Sequence, residues 1–180
     1  MTHPASELAH PIQLERIGAA SIKVSLAPDS TVRSALADRF DLLSLDALAA
    51  ELTVRRQRAT GWIEVSGTVS GRVVQSCVAT NDPVPATVSA DVLELFDDSG
   101  EIGPDEVDLD PMADTPEPIA GGVLDVGEIA AQAFGLALDP YPRAVGGTAE
   151  AVETGKDDDR TSVSPFAKLA VLKDPDVKKR

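Results

Sequence analysis

Sulfur, imidazole and aromatic rings are all scarce in this chain, and each scarcity removes a class of function. A single cysteine, Cys77, cannot close an internal disulfide, which agrees with a reducing compartment. The two histidines, His3 and His10, fall in an N-terminal stretch that reads as a mobile tail, so neither is a good catalytic base. Aromatics are 3% of the chain, which leaves little material for stacking on nucleic-acid bases. No glycine-rich loop leads a strand into a helix, and no phosphate-binding lysine motif is present. No apolar run approaches the ~20 residues of a membrane-spanning helix. The opening "MTHPASELAH" has neither the basic start nor the apolar stretch of a secretion signal. These readings predict a cytoplasmic, non-enzymatic protein with no membrane association, no catalytic residues, no metal and no cofactor.

What is present suffices for one ordinary domain with tails: 180 residues, 43% of them hydrophobic, with a core built from Val, Leu, Ile and Ala. The net charge of −14 is unevenly placed. Residues 1–80 hold eight basic and eight acidic side chains, residues 81–160 three basic and twenty acidic, and residues 161–180 five basic and two acidic. An acidic half repels phosphate, so direct RNA binding would fall to the neutral half. There Arg55, Arg56, Arg58 and Arg72 form a candidate RNA or partner patch, read first as a solvated strand face because nucleic-acid patches usually accompany a basic domain.

In "PIQLERIGAASIKVSLAP" the residues Ile22, Val24 and Leu26 alternate with Lys23 and Ser25, which is strand patterning. "PDSTVRSALADRF" puts Asp29 or Ser30 at an N-cap ahead of Val32, Ala35, Leu36 and Phe40, the spacing of a short helix. "SLDALAAELTV" predicts a second helical turn from Ser44 before the chain becomes extended near Leu52. From Leu52 to Phe96 runs of Val, Ile and Thr predict an antiparallel meander of three or four strands, with turns at Thr60-Gly61 and Ser70-Gly71. Residues 97–122 carry nine acidic residues and four prolines without a period and read as an acidic loop.

"LDVGEIAAQAFGLALDPYPR" reads as the strongest helix. Asp125 and Glu128 stand where each can satisfy a free N–H of the first turn, Val126, Ile129, Ala130, Ala133 and Ala137 form the apolar stripe, and Pro140 and Pro142 stop it. The expected architecture is α+β: an antiparallel β-sheet (meander) with packed helices, an acidic loop and a tethered short C-terminal helix. Residues 1–145 form one domain including the loop 97–122, residues 146–164 a flexible linker, and residues 165–173 a C-terminal docking helix. Ser164 and Pro165 open that helix, and Phe166, Leu169 and Ala170 give it an apolar face.

Cys77, in "CVATNDPV", could be a ligand, a nucleophile or a packed thiol. Zinc wants four nitrogen or sulfur ligands, and no partner is near in sequence, so the packed thiol at a strand end is favoured.

"CVATNDPV" resembles the Cys-x-x-Cys-Leu-x-Pro-Val segment of the YceD family, the large ribosomal RNA subunit accumulation proteins. "LDVGEIAAQAFGLALDPYPR" is similar to that family's second block and "SPFAKLAVLK" to its terminal block. The matching positions are Cys77, Pro83 and Val84, then Asp125, Leu136, Leu138, Pro140 and Pro142, then Pro165, Phe166, Leu169 and Leu172. Thr80 stands where the family has its second cysteine, so a metal role for paired cysteines does not carry over. The one-cysteine form with "ALDPYPR" resembles the alphaproteobacterial branch.

The resemblance implies a non-catalytic cytoplasmic ribosome biogenesis factor, supporting synthesis, processing or accumulation of large-subunit (23S) ribosomal RNA. The acidic charge adds an expectation of partners among ribosomal or ribosome-assembly proteins, with ribosomal RNA as an indirect partner. A rival expectation is a small acidic adaptor or chaperone-like module for a basic protein client, and a third is a divergent metal or thiol enzyme centred on Cys77.

Overall fold

Thirteen residues of extended chain, Ser44–Arg56, stand where the sequence suggests a helical turn, and they organise the fold. The structure, a computed structural model, describes residues 6–98, 115–119 and 121–145. The order of elements is β1 (Pro11–Gln13), a 3₁₀ turn (Leu14–Arg16), β2 (Ile22–Leu26), α1 (Ser30–Arg39), β3 (Ser44–Arg56), β4 (Ile63–Ser76), β5 (Pro83–Asp97), β6 (Glu117–Pro118), β7 (Val123–Asp125) and α2 (Val126–Leu136). This is a mixed α+β fold. A five-stranded sheet runs in the order β2-β3-β4-β5-β6, and β1 pairs with β7 in a separate antiparallel ribbon.

The helical reading of Ser44–Leu52 fails for a definable reason. Leu45, Leu48 and Leu52 are buried at helix-like separations of three and four. The gap of three arises because the register with β4 shifts between Leu45 and Ala47, a bulge that inserts one residue and returns Leu48, Ala50, Leu52 and Val54 to the core face. Ser70-Gly71 is likewise no turn. The β4–β5 register runs unbroken from Ser76↔Pro83 to Ile63↔Phe96, and the hairpin reverses at Val78–Asp82. The Gly61 turn is present, with Gly61 at φ 80°. The meander extends from β2 to β5; β6 departs from it by pairing parallel to Phe96 and Asp97, so Asp97 and Glu117–Pro118, within the expected acidic loop, are strand. Residues 99–114, the linker 146–164 and the helix expected at 165–173 lie outside the described residues.

One face of the sheet is apolar. Val24, Leu52 and Val92, flanked by Val54, Val65, Ile63 and Val69, are almost fully buried. Side chains alternate along a strand, so the next residues in each strand form the other face, where Lys23, Glu51, Thr68, Ser70, Arg72 and Asp91 are exposed. The apolar face is roofed by α1 against β3 and by α2 against β4 and β5. α1 is capped by Asp29, whose carboxylate accepts the N–H groups of Thr31 and Val32.

α2 begins at Asp125, whose Oδ1 accepts from Gly127 and Glu128 at 3.0 and 3.2 Å and also from the His10 backbone at 2.8 Å. The segment around His10 is therefore part of the body rather than a mobile tail: Leu8 is buried, and a Cβ on Gly127 would stand 1.6 Å from the Leu8 carbonyl oxygen. Glu128 does not complete a reciprocal cap. Its carboxylate turns to Arg39 at the end of α1, at 2.6 and 2.9 Å, because a guanidinium offers a stronger, two-pronged partner than one backbone N–H. Burial on α2 centres on Val126, Ala130, Ala131 and Phe134, while Ile129, Ala133 and Ala137 sit at the edge of the stripe.

Candidate interaction site

α2 ends at Leu136, and the next residues fold back over the β4–β5 hairpin rather than continuing the helix. The return is fastened at three points along the end of β4. Gln75 donates its side-chain amide to the Asp139 carbonyl at 2.9 Å, the Val78 N–H donates to the Pro142 carbonyl at 2.9 Å, and the Ala144 N–H donates to Cys77 Sγ at 3.3 Å. Gln75 is buried, and this bond answers the polarity of its amide. Within the return the Asp139 carboxylate accepts from the Tyr141 N–H at 2.9 Å across a bend at Pro140 and Tyr141, and Pro140 and Pro142 fix their own backbone φ.

The hairpin turn beneath is equally well defined. The Cys77 N–H donates to the Asp82 carbonyl and the Asn81 N–H to the Cys77 carbonyl, with Asn81 in the left-handed region at φ 62°. Asparagine tolerates that conformation because its short amide can bond locally. Thr80 donates its hydroxyl to Asp82 at 2.7 Å.

Cys77 is 0% exposed, roofed by the returning chain, and its sulfur is ringed by donors. The Thr80 hydroxyl, then the N–H groups of Ala144 and Ala79, favour the thiolate and pull the thiol from 9.0 to about 7, against a smaller opposing effect of burial. The Thr80 hydroxyl has one proton and two acceptors, so it serves the Cys77 sulfur only when it turns away from Asp82. Among the described residues no group of three or more His, Cys, Asp and Glu side chains converges.

Between the hairpin, the end of α2 and the end of α1 lies an open groove of about 490 Å³, lined on its apolar walls by Phe40, Val78, Leu136, Leu138, Pro140 and Pro142. Leu136 is 88% exposed and Val78 52%, large apolar side chains left to solvent at one end of the molecule. Phe40, in the groove wall, meets the buried Phe134 of α2 with ring centroids 6.4 Å apart.

Five of the sequence-derived family positions, Cys77, Leu136, Leu138, Pro140 and Pro142, come together here. Pro83 and Val84 start β5 opposite Ser76 and Gln75, next to the groove. Asp125 stands at the far end of α2 as its cap. Pro165, Phe166, Leu169 and Leu172 are outside the described residues. Val78 and Phe40, both in the groove wall, were not singled out as site residues in the sequence; an exposed valine beside the cysteine carries no pattern of its own.

The arginines do not form one patch. Arg55 makes a two-pronged ion pair across the strands with Glu64 at 2.9 and 3.0 Å, and Glu64, held first by Gln57 and then by Arg55, stays below the usual carboxylate range. Arg56 is paired with Asp98 at 2.6 and 2.9 Å and also donates to the carbonyls of Ile17 and Gly61. Arg58 is exposed in the β3–β4 turn, and Arg72 lies far along β4, opposite Ala47 and Thr87.

The described residues thus form an α+β protein with an apolar groove on a hairpin and a proline-stiffened return. The chain belongs to the YceD family: the family model described as large ribosomal RNA subunit accumulation protein YceD matches residues 65–173, from within β4 through α2 and on to Lys173. The family's name attaches it to accumulation of the large ribosomal RNA subunit. No curated protein and no solved structure matches the chain.

Proposed function

We propose that this protein is a non-catalytic cytoplasmic factor that supports synthesis, processing or accumulation of large-subunit (23S) ribosomal RNA by binding ribosomal or ribosome-assembly proteins. The observation that carries the reading is the coincidence of the family match with the groove: Leu136, Leu138, Pro140 and Pro142 lie within residues 65–173 and line one open surface. An exposed apolar rim with proline-fixed walls loses little conformational freedom when a partner docks, which favours binding. The net charge of −14 favours encounter with basic proteins over bare phosphate backbone.

The test is the ratio of large- to small-subunit ribosomal RNA, with gradient profiles of ribosomal particles, in cells depleted of the protein and rescued by the wild type. A fall in the ratio that the wild type restores supports the proposal. An unchanged ratio overturns the ribosomal reading. Tight binding of naked ribosomal RNA by the purified protein, with a steep dependence on salt, overturns the protein-mediated part of it.

A further inference from the structure

The outer edge of β5 is the second feature of this fold built to receive something. β6 covers it from the Leu95 carbonyl to Asp97, and among the described residues nothing pairs with the edge from Pro83 to Leu93. Which backbone groups point outward follows from one hydrogen bond. The Ile119 N–H donates to the Asp97 carbonyl at 2.8 Å, so Asp97 faces away from β4. Backbone groups of successive residues alternate in direction, and the β4–β5 register has no shift, so Leu95, Leu93, Asp91, Ser89 and Thr87 also present both N–H and C=O outward. Pro85 and Pro83 continue the same parity, as they must, since a proline on the inward parity would delete a bond to β4. The prolines blunt the start of the edge and β6 covers its end, which leaves Thr87–Leu93 open.

The space beside this edge is a groove of about 380 Å³ between β5, β6 and α2. Its apolar walls include Phe96, Ile129, Ala133 and Leu136, and Glu94 and Glu117 stand at its rim. Asp91 is exposed on the opposite face of the same edge. We propose that the edge Thr87–Leu93 takes an extended basic segment of a partner protein as an added strand, its side chains on one face lying against α2 and its Lys or Arg residues meeting Glu94 and Glu117 on that face and Asp91 on the other.

Charge decides the occupant. Two copies of this chain joined edge to edge would set one acidic edge, carrying Asp91 and Glu94, against another, and like charges across a strand pair are destabilising. A phosphate backbone meets the same repulsion. An extended basic peptide satisfies the open backbone groups, the acids and, through its aliphatic stems, the apolar wall. The inference stands on the strand edge and its charge and does not depend on the ribosomal reading.

The probe is a Lys-Val peptide of about ten residues in a Lys-Lys-Val-Val repeat, a strand's length with margin and with lysines on both faces, titrated into the full chain beside a Glu-Val peptide of the same pattern and length. Amide hydrogen exchange is followed residue by residue. The Lys-Val peptide is expected to slow exchange at Thr87, Ser89, Asp91 and Leu93. Asp91→Lys with Glu94→Lys is expected to weaken binding roughly tenfold by turning two attractive cross-strand pairs repulsive. Leu93→Pro, which removes an outward N–H as Pro85 already does, is expected to abolish protection at the neighbouring Asp91. Protection that maps elsewhere, binding indifferent to both variants, equal binding of the Glu-Val peptide, or self-association that protects the same amides would each overturn the proposal.

Discussion

The ring of Phe134 on α2 lies against Gly71 in the middle of β4: a Cβ placed on Gly71 would stand 2.8 Å from Phe134 Cε2 and 2.7 Å from the Ala47 carbonyl oxygen. One neighbour is backbone of the adjacent strand and cannot yield cheaply. Gly71→Ala is therefore expected to lose about 1–3 kcal/mol of unfolding free energy, the usual penalty of overpacking a filled core. Chemical denaturation of the two proteins measures it, and equal stability would show that the helix is free to lift off the sheet.

Arg39 and Glu128 tie the end of α1 to the start of α2, and Glu7 joins them at 3.0 Å from Arg39. The Arg39 guanidinium holds the Glu128 carboxyl at about 2, against 4.5 for the free group. A carboxyl depressed in the folded state contributes stability above its unfolded value and loses it as the pH falls toward the folded value. With three-quarters of the side chain covered, the contribution is about 1–2 kcal/mol. The stability difference between wild type and Glu128→Gln should be full near neutrality and shrink as the pH drops below 4.5 toward 2. A difference that stays constant through that window would detach the pair from stability.

Cys77 is an acid whose folded value of about 7 lies below the unfolded 9.0, so between these values the unfolded chain binds more protons and stability rises with pH. Wild type should gain on Cys77→Ser over that interval, and ultraviolet thiolate absorbance should titrate near 7. Cys77→Ser should still restore the ribosomal RNA ratio in depleted cells, because the sulfur is buried under Ala144 and serves the fold. A folded Cys77→Ser protein that fails to rescue would put chemistry at the thiol.

Leu136 is 88% exposed, so Leu136→Lys should leave the unfolding free energy within about 0.5 kcal/mol of wild type. The same variant should lose the ability to restore the large-subunit ratio, since it places a charge on the wall of the groove. Full rescue by Leu136→Lys would move the functional surface away from this end of the molecule.

The parts of the fold legible in the sequence are those whose cause is local. The alternation of Ile63, Val65 and Val69 and the caps at Asp29 and Asp125 each depend on residues within a few positions, and all appear as expected. Ser44–Leu52 was not legible, because a bulge against β4 sets its spacing and a bulge belongs to a pair of strands. Gly71 reads as a turn because the ring that requires it comes from Phe134, distant in sequence. Glu128 reads as half of a cap because its competitor, Arg39, is on another helix. The groove was legible through the family resemblance as a set of positions, but not as a surface. The bonds that assemble it use the N–H groups of Val78 and Ala144 and the carbonyls of Asp139 and Pro142, and main-chain groups leave no mark on side-chain patterns.

The pairing of Pro11–Gln13 with Val123–Asp125 sets a timetable for synthesis. Strands β2 to β5 can zip together as each follows its neighbour off the ribosome, closing short loops one at a time. β1 is made first and must wait, since its partner strand and the helix that seats on Leu8 are made only after the whole meander. A chain that stops before Val123 contains β2 to β6 but leaves their apolar face unroofed by α2, and only the clasp of β1 on β7 together with the arrival of α2 closes the core.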